Sequence, residues 1–178
     1  MKRSFFYSIC LFFWVALLLP GCEKAEDENI QGQISGRLVS HTECKKFNRG
    51  KKDPPVTPDS LSCIAYSYDP FNHTLQLTHI NAGFNCCPDN LYCNISSVND
   101  TLLIEEFEKA ALCKCNCLYD LEITLLGISP QKYQVKFIEP YAGSQEKILF
   151  EMDLNEHTEG TFCVTRKNYP WGVMSNQP

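Results

Sequence analysis

Residues 113–125 read Cys113-Lys114-Cys115-Asn116-Cys117-Leu118-Tyr119-Asp120-Leu121-Glu122-Ile123-Thr124-Leu125, and their parity decides the fold. Odd positions carry sulfur or apolar groups, and even positions carry Lys, Asn, Asp, Glu and Thr, with Leu118 the exception. A period of two belongs to a strand with one buried face, whereas a helix of 3.6 residues per turn would scatter the apolar groups. Shorter alternations recur at Leu75/Leu77, Leu91/Cys93/Ile95, Tyr133/Val135/Phe137 and Ile148/Phe150/Met152/Leu154. Turn formers separate them: Asp69-Pro70, Asn72, Asn81-Ala82-Gly83, Asn99-Asp100, Ser129-Pro130 and Gly143-Ser144. Leu91–Val98 and Thr101–Phe107, joined by Asn99-Asp100, read as a hairpin. A short helix over Glu105–Leu112 competes with the end of that hairpin. Eight or nine short strands at this spacing predict an all-β antiparallel sandwich.

Cysteine is the compositional outlier. Beyond Cys10 and Cys22 the chain carries Cys44, Cys63, Cys86, Cys87, Cys93, Cys113, Cys115, Cys117 and Cys163. Residues two apart on a strand have Cα atoms roughly 6.5 to 7 Å apart, at or beyond disulfide reach. Cys113, Cys115 and Cys117 are therefore expected to find partners elsewhere, and Cys86, Cys87 and Cys93 supply a facing set. Bridges among these six would staple the sandwich, and one sulfur of the nine must be left over. The alternative is a thiolate metal or redox site built on the same six residues. No C-x2-C zinc knuckle and no Cys-x-x-Cys redox motif accompanies it.

The N-terminus supplies an address. Lys2 and Arg3 precede an apolar run from Phe5 to Leu19, shorter than the roughly 18 to 20 apolar residues of a spanning helix, so residues 1–21 read as an export signal. Residues 22–33 are an acidic tether, and residues 34–178 are expected to form one domain. Without residues 1–21, 157 residues remain, and 14 Lys and Arg face 21 Asp and Glu. That acidic balance argues against nucleic acid as a partner. Leu19-Pro20-Gly21-Cys22 resembles the lipobox of bacterial lipoproteins, with Pro20 where that family carries a small or aliphatic residue. The resemblance implies that Cys22 is lipidated and anchors the chain in a membrane. Glu23 after it favours the outer membrane or cell surface over the inner membrane. An ordinary secretory signal cut near Gly21 is the alternative.

Leu125-Leu126-Gly127-Ile128-Ser129-Pro130-Gln131-Lys132-Tyr133-Gln134-Val135 resembles the strand-loop-strand corner of fibronectin type III and immunoglobulin-like domains. It implies that Tyr133 is a corner tyrosine, its hydroxyl bonded to nearby backbone. Phe84-Asn85-Cys86-Cys87, Cys113-Lys114-Cys115-Asn116-Cys117-Leu118-Tyr119-Asp120 and Tyr169-Pro170-Trp171-Gly172 are similar to runs in cysteine-rich bacterial lipoproteins, a resemblance that implies no activity.

Lys45, Lys46, Arg49, Lys51 and Lys52 concentrate positive charge in a polar loop between Cys44 and Cys63, a candidate anion-binding loop. His73 and His79 share parity with Leu75 and Leu77, so they are expected on one face. No nucleophile elbow, H-E-x-x-H pair or Gly-rich phosphate loop occurs, and Glu105/Glu106 read as surface charge. Asn72-His73-Thr74, Asn94-Ile95-Ser96 and Asn99-Asp100-Thr101 match the N-glycosylation pattern, which would matter only in a eukaryotic secretory chain. The expectation is a non-enzymatic, membrane-anchored binding or structural module that needs no cofactor, with an envelope protein or glycan as partner.

Overall fold

The computed structural model describes residues 34–45 and 57–168. The export signal, Cys22, the acidic tether, Lys46, Arg49, Lys51, Lys52 and the Tyr169–Gly172 run lie outside them. Nine strands follow in order: β1 (Ser35–His41), β2 (Leu61–Asp69), β3 (Thr74–Asn85), β4 (Leu91–Val98), β5 (Thr101–Glu108), β6 (Asn116–Leu126), β7 (Lys132–Ile138), β8 (Leu149–Asp153) and β9 (Glu159–Thr165). The described residues contain no helix, and Glu105–Glu108 belong to β5.

Two sheets pack face to face, one ordered β1-β6-β3-β2-β9 and the other β4-β5-β7-β8. The sandwich is all-β, but the expectation of purely antiparallel pairing needs correction, because β5 and β7 run parallel from Thr101↔Gln134 to Glu105↔Ile138. A parallel pair requires a crossover connection. Here β6 provides it: the chain leaves β5, pairs in the opposite sheet and returns beside β5 as β7. The order also differs from the ABED and CFG sheets of immunoglobulin-type domains, since β1 pairs with β6 and β5 pairs in parallel with β7.

Local chemistry explains the turns. Asn99 and Asp100 both adopt positive φ, 47° and 60°, as a two-residue hairpin turn requires. Asp69 Oδ1 accepts from the backbone N–H of Phe71 at 2.9 Å, closing the β2–β3 turn. The core comes from alternate residues of each strand: Ile64, Leu75, Leu77, Leu121 and Ile123 on one side, Leu102, Ile104, Val135, Phe137 and Met152 on the other, all at most 2% exposed. One seam between the sheets is held by the Phe150–Phe162 stack, centroids 4.8 Å apart. At the other seam β1 meets β4 so closely that a Cβ on Gly36 would lie 2.5 Å from Ile95 Cδ1.

Tyr133 is 1% exposed, and its hydroxyl accepts the Ser129 N–H at 3.1 Å. Beside it, Tyr68 donates to the Ile128 carbonyl at 2.9 Å, so two phenols clamp the turn before β7. Tyr133→Phe leaves a part-buried N–H without its acceptor, and we expect a loss of about 1 kcal/mol. Urea unfolding would measure it, and an unchanged midpoint would show that the corner bond contributes nothing.

Candidate functional site

The sulfurs converge at one end of the five-stranded sheet. β3 and β6 pair as far as Phe84↔Cys117 and Asn85↔Asn116, so the residues beyond run opposite each other. Cys86 meets Cys115 and Cys87 meets Cys113, while Cys117 takes Cys44 from the segment after β1. Cys63 and Cys163 bridge β2 to β9 at directly opposed positions. Asn85 organises the crossing: its Nδ2 donates to Cys113 O at 2.6 Å, and its Oδ1 accepts from Cys87 N at 3.0 Å and Cys113 N at 3.1 Å.

Cys93, expected among the bridged residues, is instead the one free thiol among the described residues. It lies in the other sheet, opposite Glu106 in the β4–β5 register, and so cannot reach the end of β6. Burial pushes its pKa up to about 11, and the neighbouring Glu106 charge adds to the shift against a backbone hydrogen bond from Leu38.

A second constellation went unrecognised in the sequence. Ser62 of β2, His79 of β3 and Glu106 of β5 meet in the core: Ser62 Oγ lies 2.8 Å from His79 Nε2, and His79 Nδ1 lies 2.7 Å from Glu106 Oε1. Glu106, read as surface charge, is 2% exposed, because it shares parity with Leu102 and Ile104 on the inward face of β5. Glu139 approaches His79 Nε2 to 3.9 Å, and Arg166 Nη2 contacts both Glu139 carboxylate oxygens, at 2.5 and 2.6 Å. The order Ser–His–acid is that of a nucleophilic triad, but a nucleophile must meet substrate and its base must be neutral. Ser62 and His79 are 0% exposed. Desolvation pulls the His79 pKa down, yet the Glu106 charge and hydrogen bond, with the Glu139 charge, outweigh it and leave the pKa raised. The raised pKa favours the protonated imidazole, which would donate to Ser62 rather than take its proton. The cluster is thus a buried balance of His79 and Arg166 against Glu106 and Glu139. No family model, curated protein or solved structure matches the chain.

Of the candidate anion-binding loop, Lys45 alone is described. Its Nζ sits 2.5 Å from Asp120 Oδ1 and donates to Asn81 Oδ1 at 2.7 Å. Asn81 occupies the bulge in β3 at φ 65° and is fully buried. Its Nδ2 donates to Pro58 O at 2.9 Å and Leu61 O at 2.8 Å, so one asparagine ties Lys45 to Pro58 and Leu61. Asn81→Ala removes these contacts and places a Cβ residue that lacks asparagine's tolerance at positive φ, and we expect a loss of about 2–3 kcal/mol. Asn81→Gly keeps the backbone conformation and should lose less. Thermal denaturation of both variants checks the order, and equal losses would remove the backbone contribution.

His73 and His79, expected on one face, separate in role: His79 is sealed in the core, while His73, at φ 50°, places Nδ1 3.2 Å from Ile128 O.

Proposed function

We propose that the chain is an exported, lipid-anchored module of the cell envelope that binds a protein or glycan and performs no catalysis. The observation that carries this reading is the pairing of Cys44, Cys63, Cys86, Cys87, Cys113, Cys115, Cys117 and Cys163 into four disulfides, which suits an oxidising compartment. Residues 1–21 supply the matching export signal, with Cys22 as the lipid-bearing residue and the outer membrane or cell surface as the destination. The sealed Ser62–His79–Glu106 line supports a non-catalytic role.

The contact surface is the outward face of the four-stranded sheet. Tyr92, 41% exposed, stacks on Phe107 with centroids 5.2 Å apart. Ile138 and Leu149 are exposed on the same sheet, where Phe137 and Phe150 turn inward. Aromatic groups with a polar surround suit protein or glycan contact.

Two measurements test the proposal. Fatty-acid labelling should mark the wild type and not Cys22→Ser, which should fractionate as soluble; an unlabelled wild type would sink the anchor. A photo-cross-linker replacing Tyr92 should capture a neighbour on intact cells, whereas one replacing the exposed Gln76 of the opposite sheet should not. Capture at neither position, or equally at both, would reject this surface.

A further inference from the structure

We propose that the end of the sandwich formed by the β2–β3 and β4–β5 turns docks on the lipid surface that holds the anchor, with Phe71 and Val98 seated in the bilayer interface. This orientation rests on the lipid-anchor reading above and deepens it. It gives the domain a membrane-facing end and leaves the outward sheet faces free for a partner.

The register places the relevant connections together. Ser35 and Thr74 both pair with Leu126, the last residue of β6, so the chain enters β1 beside the β2–β3 turn. In the β4–β5 turn, Asp100 O accepts from Gln134 N at 3.0 Å and Asp100 Oδ1 from Gln131 Nε2 at 2.8 Å, which fixes that tip over the start of β7. Ile128 N donates to His73 O at 3.0 Å and ties the same corner to the β2–β3 turn. The bridged Cys86, Cys87, Cys113 and Cys115 lie at the opposite end, past the Asn85↔Asn116 pair.

Three apolar side chains project from the turn end. Phe71 is 92% exposed, the most of any large apolar group among the described residues, and Val98 and Leu126 are 65% and 51% exposed. Moving such groups from water into the acyl boundary is favourable in proportion to the area covered. The turn carrying Phe71 is closed on itself: Asn72 Nδ2 donates to Asp69 Oδ2 at 2.6 Å, and Thr74 Oγ1 to Asn72 O at 3.1 Å. The phenyl group is therefore held outward before docking, which lowers the ordering cost. Asp69 and Asp100 turn carboxylate oxygens to donors within these turns, so the attraction is apolar and needs no anionic headgroup. Asn155, Glu156 and His157, in the β8–β9 turn of the same end, are exposed and polar, which limits penetration to headgroup depth.

Tether length selects this end over the other. Eleven residues, 23–33, separate Cys22 from Ile34 and reach at most about 40 Å. β3, with 12 residues, is itself about 40 Å long. With the Phe71 end toward the bilayer the tether stays slack. With the sulfur end there, it would have to be drawn nearly straight along the whole domain, at a cost in chain entropy. The tether also keeps the tips at high effective concentration over the surface, so a few side chains suffice to orient the domain.

The test uses the full chain as its host processes it, labelled with an alkyne-bearing fatty acid and reconstituted in phosphatidylcholine vesicles, plain or dibrominated in the acyl chains. Trp replaces Phe71, Val98 or Leu112 in turn. Leu112 is the control: it is 68% exposed, and its N–H donates to Cys87 O at the sulfur end. All three positions are exposed, so the substitutions leave the core alone. After subtraction of the wild-type signal, brominated lipid should quench Phe71→Trp and Val98→Trp by at least about 2-fold and leave Leu112→Trp unchanged. An unlabelled wild type would sink the anchor and this orientation with it. A labelled chain in which Phe71→Trp and Leu112→Trp are quenched alike, or neither is quenched, would overturn the orientation and leave the anchor standing. A blue shift of Phe71→Trp emission without quenching would assign this end to a second copy of the chain and equally overturn it.

Discussion

Arg166→Met is expected to destabilise the domain by about 3–5 kcal/mol, because it strips the counter-charge from a carboxylate that cannot reach water. The Glu139 side chain is 2% exposed and takes two contacts from the Arg166 guanidinium, which also donates from Nη1 to Glu146 O at 2.8 Å. Removing the cation alone leaves Glu139 facing Glu106 across His79. Removing both partners in Arg166→Met/Glu139→Met should recover most of the loss, since replacing a buried ion pair by apolar groups is often neutral. Guanidinium unfolding of the two variants decides the matter: a single variant within about 1 kcal/mol of wild type would show that the ion pair carries no such weight. The same cluster sets a pH dependence. His79 and Glu106 both have folded-state pKa values above their ordinary 6.5 and 4.5, the first through its carboxylate neighbours against desolvation, the second through burial. The folded chain therefore binds more protons than the unfolded one, and stability falls as pH rises. The Glu106 share begins to be lost above pH 4.5, and the His79 share is complete below pH 6.5 and lost as pH climbs through its raised value. Melting temperatures from pH 5 to 9 should decline in the wild type and flatten in His79→Gln/Glu106→Gln; an unchanged slope would assign the dependence elsewhere.

Cys63→Ser/Cys163→Ser is expected to cost about 4 kcal/mol, the largest effect of any bridge removal. The bridge spans 100 residues of sequence, against 73, 29 and 26 for the other three. A 100-residue loop corresponds to about 4.7 kcal/mol of lost chain entropy in the unfolded state. The Cys86–Cys115 bridge already shortens that loop, which brings the figure down. Cys87→Ser/Cys113→Ser, closing a short loop beside the parallel bridge Cys86–Cys115, should cost far less. Calorimetric melting of the two double variants gives the comparison. Equal losses would mean that native-state packing around the sulfurs, rather than loop length, sets the contribution.

The strands that alternate were legible, and the ones that do not were not. Leu118 broke the parity of β6 without disturbing it, because the ladder to β3 holds Gly83 opposite. By contrast β1 is exposed along nearly its whole length, so it carries no apolar rhythm to read. The parallel β5–β7 pair depends on where β6 goes, a fact about the whole chain and not about any segment. The buried cluster illustrates the same limit at side-chain scale. His79 was placed on the face of Leu75 and Leu77, and Glu106 could have been placed with Leu102 and Ile104. Their meeting with Ser62 needed both sheets at once. The parity over 113–125 overran the strand: β6 begins at Asn116, so of the three sulfurs expected on its inward face only Cys117 is there, while Cys113 and Cys115 lie just before it and take Cys87 and Cys86. Cys44 displaced Cys93 because β1 extends alongside β6 through Thr42 N to Asp120 O at 2.9 Å.

An odd sulfur in an oxidising compartment is ordinarily a hazard, since one thiolate can attack any bridge and pass the error along the chain. Cys93 is kept from that role. With its pKa near 11, about one molecule in ten thousand carries the thiolate at neutral pH, and burial hinders approach as well. Burial first, and the neighbouring Glu106 carboxylate second, thus keep the one thiol of the four-stranded sheet from disturbing the bridges of the other.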